Sequence, residues 1–350
     1  MRFRTVLVLA MVGALALVGC TGGGKKAKKA DATTTTPKPP PVAALTGLPD
    51  PSGASLGRCA LTVKIENDPP ARPQSGINEA DVVYDEVIDG GITRLVAMYN
   101  SKVPETVGPV RSVRPIDPKL VYPVAGVFAY SGGVPENVAA IKAVPGVVAI
   151  DENDREALFR TKDRQPPRNL YAKGPVLFER CPKPQAPQPL FQYRGPKDPA
   201  PVGDPVQTAN VDVSPDKGFA VDYAWNGTGF ARSMSGKPYV DRAGAQVVAA
   251  NVIVMFLQWD GAVGSFNAEG ITTGTGDALV LTNGVAIKAK WNRPALEKAA
   301  TFTDAAGKPI ALTPGSTWVE LPPVGQAVTI TPTPTTTTAA PAGGSAPAKP

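Results

Sequence analysis

Two strand-like runs, 278–282 and 285–291, are separated by two residues, Asn283 and Gly284. That spacing and dipeptide specify a type I′ hairpin, because both central positions need positive φ, which Asn and Gly tolerate best. A hairpin pinned in this way commits the surrounding chain to antiparallel sheet. Further strand-length runs lie at 219–224 (FAVDYA), 229–234, 247–258 (VVAANVIVMFLQ), 309–312 and 317–321. No helical periodicity of note interrupts them, so residues 218–325 read as a mostly antiparallel β domain.

The preceding residues 182–217 are dense in Pro and poor in aliphatics, and read as a linker or long crossing loop. Residues 45–181 mix element types. The stretch 59–66 (CALTVKIE) alternates as a half-buried strand does, and 81–89 (DVVYDEVID) and 92–100 (ITRLVAMYN) flank a Gly90-Gly91 turn. Buried-strand runs follow at 126–131 and 147–151. Helical turns are expected at 115–122, at 135–144 with Pro135 in the first turn, and at 170–180 across Gly174-Pro175. The first half therefore reads as an α+β or α/β domain.

Neither end can bury a core. Arg2 and Arg4 precede an apolar run from Val6 to Val18, followed by Gly19-Cys20. A basic start, a short apolar stretch and small residues describe a secretory signal over 1–19, and the run is too short for a span. Cys after Leu-Val-Gly resembles a bacterial lipobox. That resemblance implies acylation of Cys20 and a partner in membrane lipid, with the protein extracytoplasmic and lipid-anchored to a bacterial cell membrane. Residues 20–44 then form a flexible tether with four Lys beside the lipid, and 326–350 a disordered Thr/Pro-rich tail. Acylation leaves two thiols, Cys59 and Cys181. They are a candidate disulfide in an oxidising compartment, against two unpaired buried Cys.

The chain has no His. This excludes Ser-His-Asp and Cys-His nucleophile systems, a His base and His-containing metal sites. No cofactor or metal is expected. The formal charge of +6 belongs to the ends, since residues 42–330 carry 28 basic and 29 acidic side chains. A near-neutral core lacks the concentrated basic face that nucleic acid requires, so no nucleic acid is expected.

The candidate chemistry concentrates in 64–114. Alternation puts Asp81, Asp85 and Asp89 on one strand face, where Asp85 and Asp89 read as solvated. Glu86 shares the other face with Val82 and Tyr84 and needs a partner, for which Arg94 across the turn is the candidate. Arg111 and Arg114 flank Ser112-Val113 in a loop stiffened by Pro109 and Pro115. They fit either a bidentate grip on a carboxylate or phosphate, or loop-stapling ion pairs. The turn Tyr130-Ser131-Gly132-Gly133 is placed to close beside them and add N–H donors. Ser214-Pro215-Asp216-Lys217 matches Ser-x-x-Lys, but its Pro is wrong for a catalytic helix.

In order, KIENDPPARPQSGINEADVVYDEVIDGGITRLVAMYNS, GPVRSVRP, FAYSGG and NLY, then WNGTGFARSMSGKPYVDR, NVIVMF, GDALVLTNGVAIKAKW and LTPGSTWVEL, resemble the YerB-like lipoproteins. Those carry an extracytoplasmic domain of unknown function (3048) in N- and C-terminal parts. The resemblance spans about residues 45–325 and implies a location and a layout, with no activity attached. It also implies a His before Asn-Leu-Tyr; Arg168 stands there, before Asn169-Leu170-Tyr171. Three function classes follow. The first is a binding module for an anionic envelope polymer or peptide, with candidate ligands Arg72, Glu86, Arg94, Arg111, Arg114, Ser131 and Asn169. The second is a hydrolase of envelope glycan or peptide using Glu86 and Asp81, with a further carboxylate such as Glu66 or Asp241. The third is a scaffold for partner proteins.

Overall fold

A computed structural model describes residues 40–334 except Asp216. Residues 1–39, which hold the expected signal, Cys20 and most of the expected tether, and residues 335–350 lie outside the described residues. The described chain is mostly sheet with few helices.

Among the described residues, eleven strands form one mixed sheet. Its centre is β1 (Leu61–Glu66), β2 (Val82–Val87) and β3 (Thr93–Tyr99), in the order β2-β3-β1, all antiparallel. Beyond β1, the strands Gly126–Ala129 and Val147–Ile150 add in parallel. Beyond β2 comes Thr317–Leu321, parallel to β2, then Asn251–Met255, parallel again. The hairpin Gly274–Thr282/Val285–Arg293 follows, with Asn283 and Gly284 at φ 49° and 75°, as their sequence requires. Strands from both halves of the chain thus share one hydrogen-bonded sheet.

A second sheet, all antiparallel, runs Lys237–Pro238, Phe230–Met234, Val221–Trp225, Thr208–Val211, Val328–Thr331. Two of its strands fall in stretches read above as Pro-rich linker and disordered tail. Thr208–Val211 and Val328–Thr331 pair with each other, and Ala209 and Val211 are fully buried. Neighbours supply the burial that their local sequence does not advertise.

This sheet packs on one face of the large one, around Val83, Leu95, Tyr223, Phe230 and Trp318. The opposite face buries Val82, Tyr84, Val96 and Met98 under Leu120 and loop residues Leu190 and Leu312. The half-buried reading of β1 is therefore corrected. With both faces covered, β1, β2 and β3 are buried throughout, polar residues included.

Among the described residues, three short α-helices, α1 (Asp117–Val121), α2 (Pro135–Lys142) and α3 (Gly174–Glu179), lie in the first half. The stretch expected to be helical over 170–180 begins as a strand, Leu170–Lys173, before α3. Cys59 and Cys181 form a disulfide with Cα atoms 5.8 Å apart, joining the entry to β1 with the exit from α3.

Candidate functional site

The segment after residue 107 lies along the edge of β1 where the strand Gly126–Ala129 has stopped pairing. Glu66 N–H donates to Pro109 O and Arg111 N–H to Lys64 O, both at 2.9 Å. This lays Arg111 and Arg114 over the face of the sheet on which Lys64, Glu66, Glu86 and Arg94 project. Glu66, Arg94 and Glu86 are cross-strand neighbours in register over β1, β3 and β2.

The ion pairs differ from the expected ones. Arg94 sits opposite Glu86 but pairs with Glu66 at 3.3 Å, and Arg111 pairs with the same Glu66 oxygen. Glu86 pairs instead with Lys64, which also reaches Asp117 of α1 at 2.8 Å. Lys64, Glu86 and Asp117 are fully buried. Nothing in the sequence singles out Lys64, because a Lys in an alternating strand is ordinarily on a wet face.

Burial pushes the Glu66 carboxyl up, but the Arg94 and Arg111 guanidiniums outweigh it and hold its pKa below the ordinary value. Burial, with the Asp117 charge beside it, pushes Glu86 up to about 8 against the pull of Lys64. Its second oxygen has no hydrogen-bond partner.

Arg114 closes the front. Its guanidinium reaches Asp89 at 2.9 Å, and its backbone N–H donates to Asp117 Oδ2 at 2.6 Å. Its Nε is buried without a partner. Asp85 and Asp89, both expected to be solvated, are not freely so. Asp89 is paired here, and Asp85 lies in the interior described below. Arg114 also lines a cleft of about 290 Å³ together with Asp89, Ser112, Asn137 of α2, Phe266 and Asn267. The last two come from the second half of the chain, in the hairpin Trp259–Asp260/Glu269–Gly270, whose Gly264 O accepts from Gly90 N–H at 2.8 Å. Phe266 is largely exposed, and sequence periodicity offered no signal for its position.

The 130–133 turn does lie beside the Arg loop. Ser131 and Ser112 hydroxyls are 3.4 Å apart, and Val113 N–H donates to Gly132 O. The N–H of Ser131 is already spent on Arg111 O at 2.9 Å, so it does not add a free donor.

Two expected ligands lie elsewhere. Arg72 donates through Nε and Nη2 to Asn67 O and lines a separate cleft. Asn169 is tied into its own hairpin, accepting from Arg160 at 2.8 Å and donating to Thr161 O. Beside it Arg168, where a His was expected, pairs with Asp68.

The carboxylates proposed for hydrolysis do not share an open cleft. Asp81 and Glu86 point to opposite faces, and Asp81 is consumed by the N–H groups of Asn100 and Ser101 and by the Ser101 hydroxyl. Glu66, Asp81 and Glu86 are each no more than 2% exposed. Asp241 accepts from Asn78 and from Ala245 N–H. Among the described residues, no three acidic or Cys side chains converge as metal ligands do.

A second buried charge cluster was invisible in the sequence. Arg232, on the second sheet, inserts between Asp85 of β2 and Glu320 of Thr317–Leu321, with Tyr223 Oη at 2.5 Å. Its guanidinium lies 4.2 Å from the Trp318 ring centre. Burial and the Asp85 charge push Glu320 up to about 7. Arg232, Asp85 and Glu320 have no exposed surface, so this cluster staples the two sheets rather than meeting a ligand.

Residues 45–186 match the family model "Protein of unknown function (DUF3048) N-terminal domain", and residues 209–319 match its C-terminal counterpart. The chain belongs to the DUF3048 family. Its two matched parts contribute to one sheet, the first through β1–β3 and the second through Asn251–Met255 and the 283–284 hairpin. The chain is also 36% identical over 133 residues to "Putative lipoprotein YerB" of Bacillus subtilis (strain 168). That match covers 37% of this chain and spans 39% of the relative's length. A crystal structure of YerB from Bacillus subtilis superposes with a TM-score of 0.70 at 23% identity, over 82% of this chain and 99% of that one. At that identity the likeness speaks to fold alone. No helix of the described residues is long and apolar enough to cross a membrane.

Proposed function

We propose that this protein is an extracytoplasmic binding module, tethered to the bacterial membrane by lipid on Cys20, that holds an anionic ligand of the cell envelope at the Arg111–Arg114 loop. The tether rests on the Leu-Val-Gly-Cys20 sequence and on the lipoprotein name of the relative. The ligand class rests on one observation above all: Arg114, rather than a carboxylate pair, faces the open cleft, while Glu66, Asp81 and Glu86 are shut inside. The Arg114 backbone is fixed by Asp117 and by Pro115, and its Nη1 donates to Val113 O at 3.2 Å, so little entropy is lost in presenting its fork. Asp89 is its only ion-pair partner among the described residues, and an incoming carboxylate or phosphate displaces that half-exposed side chain at modest cost.

The test is binding of full-length protein to acidic wall polymer and to wall peptide, beside a neutral glycan. Arg114→Lys keeps the charge and loses the fork. It is expected to weaken acidic-ligand binding about tenfold, about 1.4 kcal/mol, with the thermal midpoint changed little. If no acidic envelope fraction binds, or if Arg114→Lys binds as well as the parent, the reading is wrong.

A further inference from the structure

A different cleft, about 450 Å³, opens between the turn Pro69–Ala71 with its following residues and the hairpin formed by Phe230–Met234 and Lys237–Pro238. Its volume falls in the range of small-molecule sites. Two cations line it, Arg72 and Lys237, and among the described residues no acidic one does. Apart from Ser235 and three prolines, the rest of the wall is Tyr239, Met234 and Val240.

Arg72 is anomalous. It is more than half withdrawn from water, yet it has no carboxylate within ion-pair distance among the described residues. The acids whose charge reaches it, Asp68 and Asp85, are committed to Arg168 and Arg232. Its Nε and Nη2 both point at one carbonyl, Asn67 O, at 3.0 and 2.6 Å, and its plane is held near the rings of Phe219 and Tyr239 at 5.8 and 5.9 Å. No hydrogen bond of the described residues uses Nη1. Burial, together with the positive charge of Arg232, works against the Arg72 cation. A buried guanidinium normally has a counter-ion, because its desolvation is otherwise uncompensated. Here fixed aromatic and carbonyl contacts preorganise it and leave that place open toward the cleft. Lys237, exposed on the hairpin rim, adds a second positive charge.

We propose that this cleft is a ligand site for a small organic acid, a carboxylate or phosphate head on an apolar body. The head pairs with Arg72 and Lys237, and the body lies on Tyr239, Met234 and Pro238. The site is separate from the Arg114 cleft and does not depend on what binds there.

Phenyl phosphate and phenylacetate are the probes, titrated into full-length protein by calorimetry and ligand-observed NMR. Benzyl alcohol controls for the missing charge and inorganic phosphate for the missing body. Both aryl acids, or one of them if the head is selected, are expected to bind at least tenfold more tightly than either control. Lys237→Met, an exposed substitution that leaves folding intact, should weaken binding threefold or more. Arg72→Gln should weaken it at least tenfold, and Arg72→Lys, which retains the buried charge should Gln destabilise the fold, about fivefold. Arg114→Lys should leave aryl-acid affinity within twofold. The site is refuted if neither aryl acid outbinds its controls, if Lys237→Met and Arg72→Lys both bind like the parent, or if Arg114→Lys is what abolishes binding. The last result would leave the Arg114 reading standing while removing this one.

Discussion

Replacing Arg232 with Met is the sharpest perturbation of this fold. The side chain is fully buried and donates to Asp85, Glu320 and Tyr223, with Trp318 against its plane. Met fills most of the volume but strands two carboxylates inside the protein. Breaking one buried pair by removing one partner costs about 3–5 kcal/mol. Two carboxylates lose their partner here, and each already has one oxygen without a hydrogen bond. The upper end, about 5 kcal/mol at pH 8, is therefore expected, a large share of the 5–15 kcal/mol typical of whole domains. Without the guanidinium Glu320, already pushed up to about 7 by burial and the Asp85 charge, takes up a proton more readily still in the folded state. Stability is then retained below its unfolded pKa and lost as pH rises, so the deficit should shrink at pH 5. Urea unfolding at pH 5 and pH 8 measures this, with Asp85→Asn/Glu320→Gln/Arg232→Met as the closing variant. With the charges gone, the triple variant should recover at least about half of the loss. A single-variant loss below about 1 kcal/mol at pH 8, or a triple variant worse than the single one, would refute the reasoning.

Two more outcomes are expected. Glu86 has a folded pKa of about 8 against an ordinary 4.5, so its folded state keeps a proton that the unfolded chain releases between those values. Its contribution is full below about pH 4.5 and lost as pH rises through about 8. Glu86→Gln should therefore flatten the pH dependence of urea stability across that window by on the order of a few kcal/mol, and an unchanged slope would show that Glu86 is not the titrating group. The Cys59–Cys181 bond closes a loop with a sequence separation of 122, worth about 4–5 kcal/mol by chain entropy. Cys181→Ser should lower unfolding free energy by about that amount, and a loss below about 1 kcal/mol would place the stabilisation elsewhere.

How far each feature was legible depends on the range of the interaction that makes it. The Asn283-Gly284 turn is local, since its φ values are a property of those two residues, and the hairpin formed where they stand. The same holds for the runs that became β1, β2 and β3, and for Pro135 at the start of α2. The placement of Glu86 opposite Asp81 and Asp85 follows from the two-residue period of a strand. The absence of His is likewise a property of composition, and it rules out the same chemistries whatever the fold.

Partner choice was not local. Whether Lys64, Asp85 and Glu86 meet water or one another depends on what covers each face of the sheet. Those covers are the 107–117 segment and a second sheet carrying Arg232, 147 residues from Asp85. Alternation reports that a strand has two unlike faces, and cannot report that both are buried. Hence adjacency in the hairpin matches Arg94 to Glu86, while in the folded protein Glu66, flanked by two guanidiniums, draws it away. Arg72 and Arg114 look alike in sequence, as arginines beside prolines. Only the folded chain sets one against Asp89 at the mouth of one cleft and leaves the other, without a counter-ion among the described residues, in the wall of another. Sequence determines which residues carry charge and which turns the backbone accepts. Tertiary structure decides which charges are neutralised, because a pairing energy depends on distance and on the water excluded around it, and both are set by segments far apart in the chain.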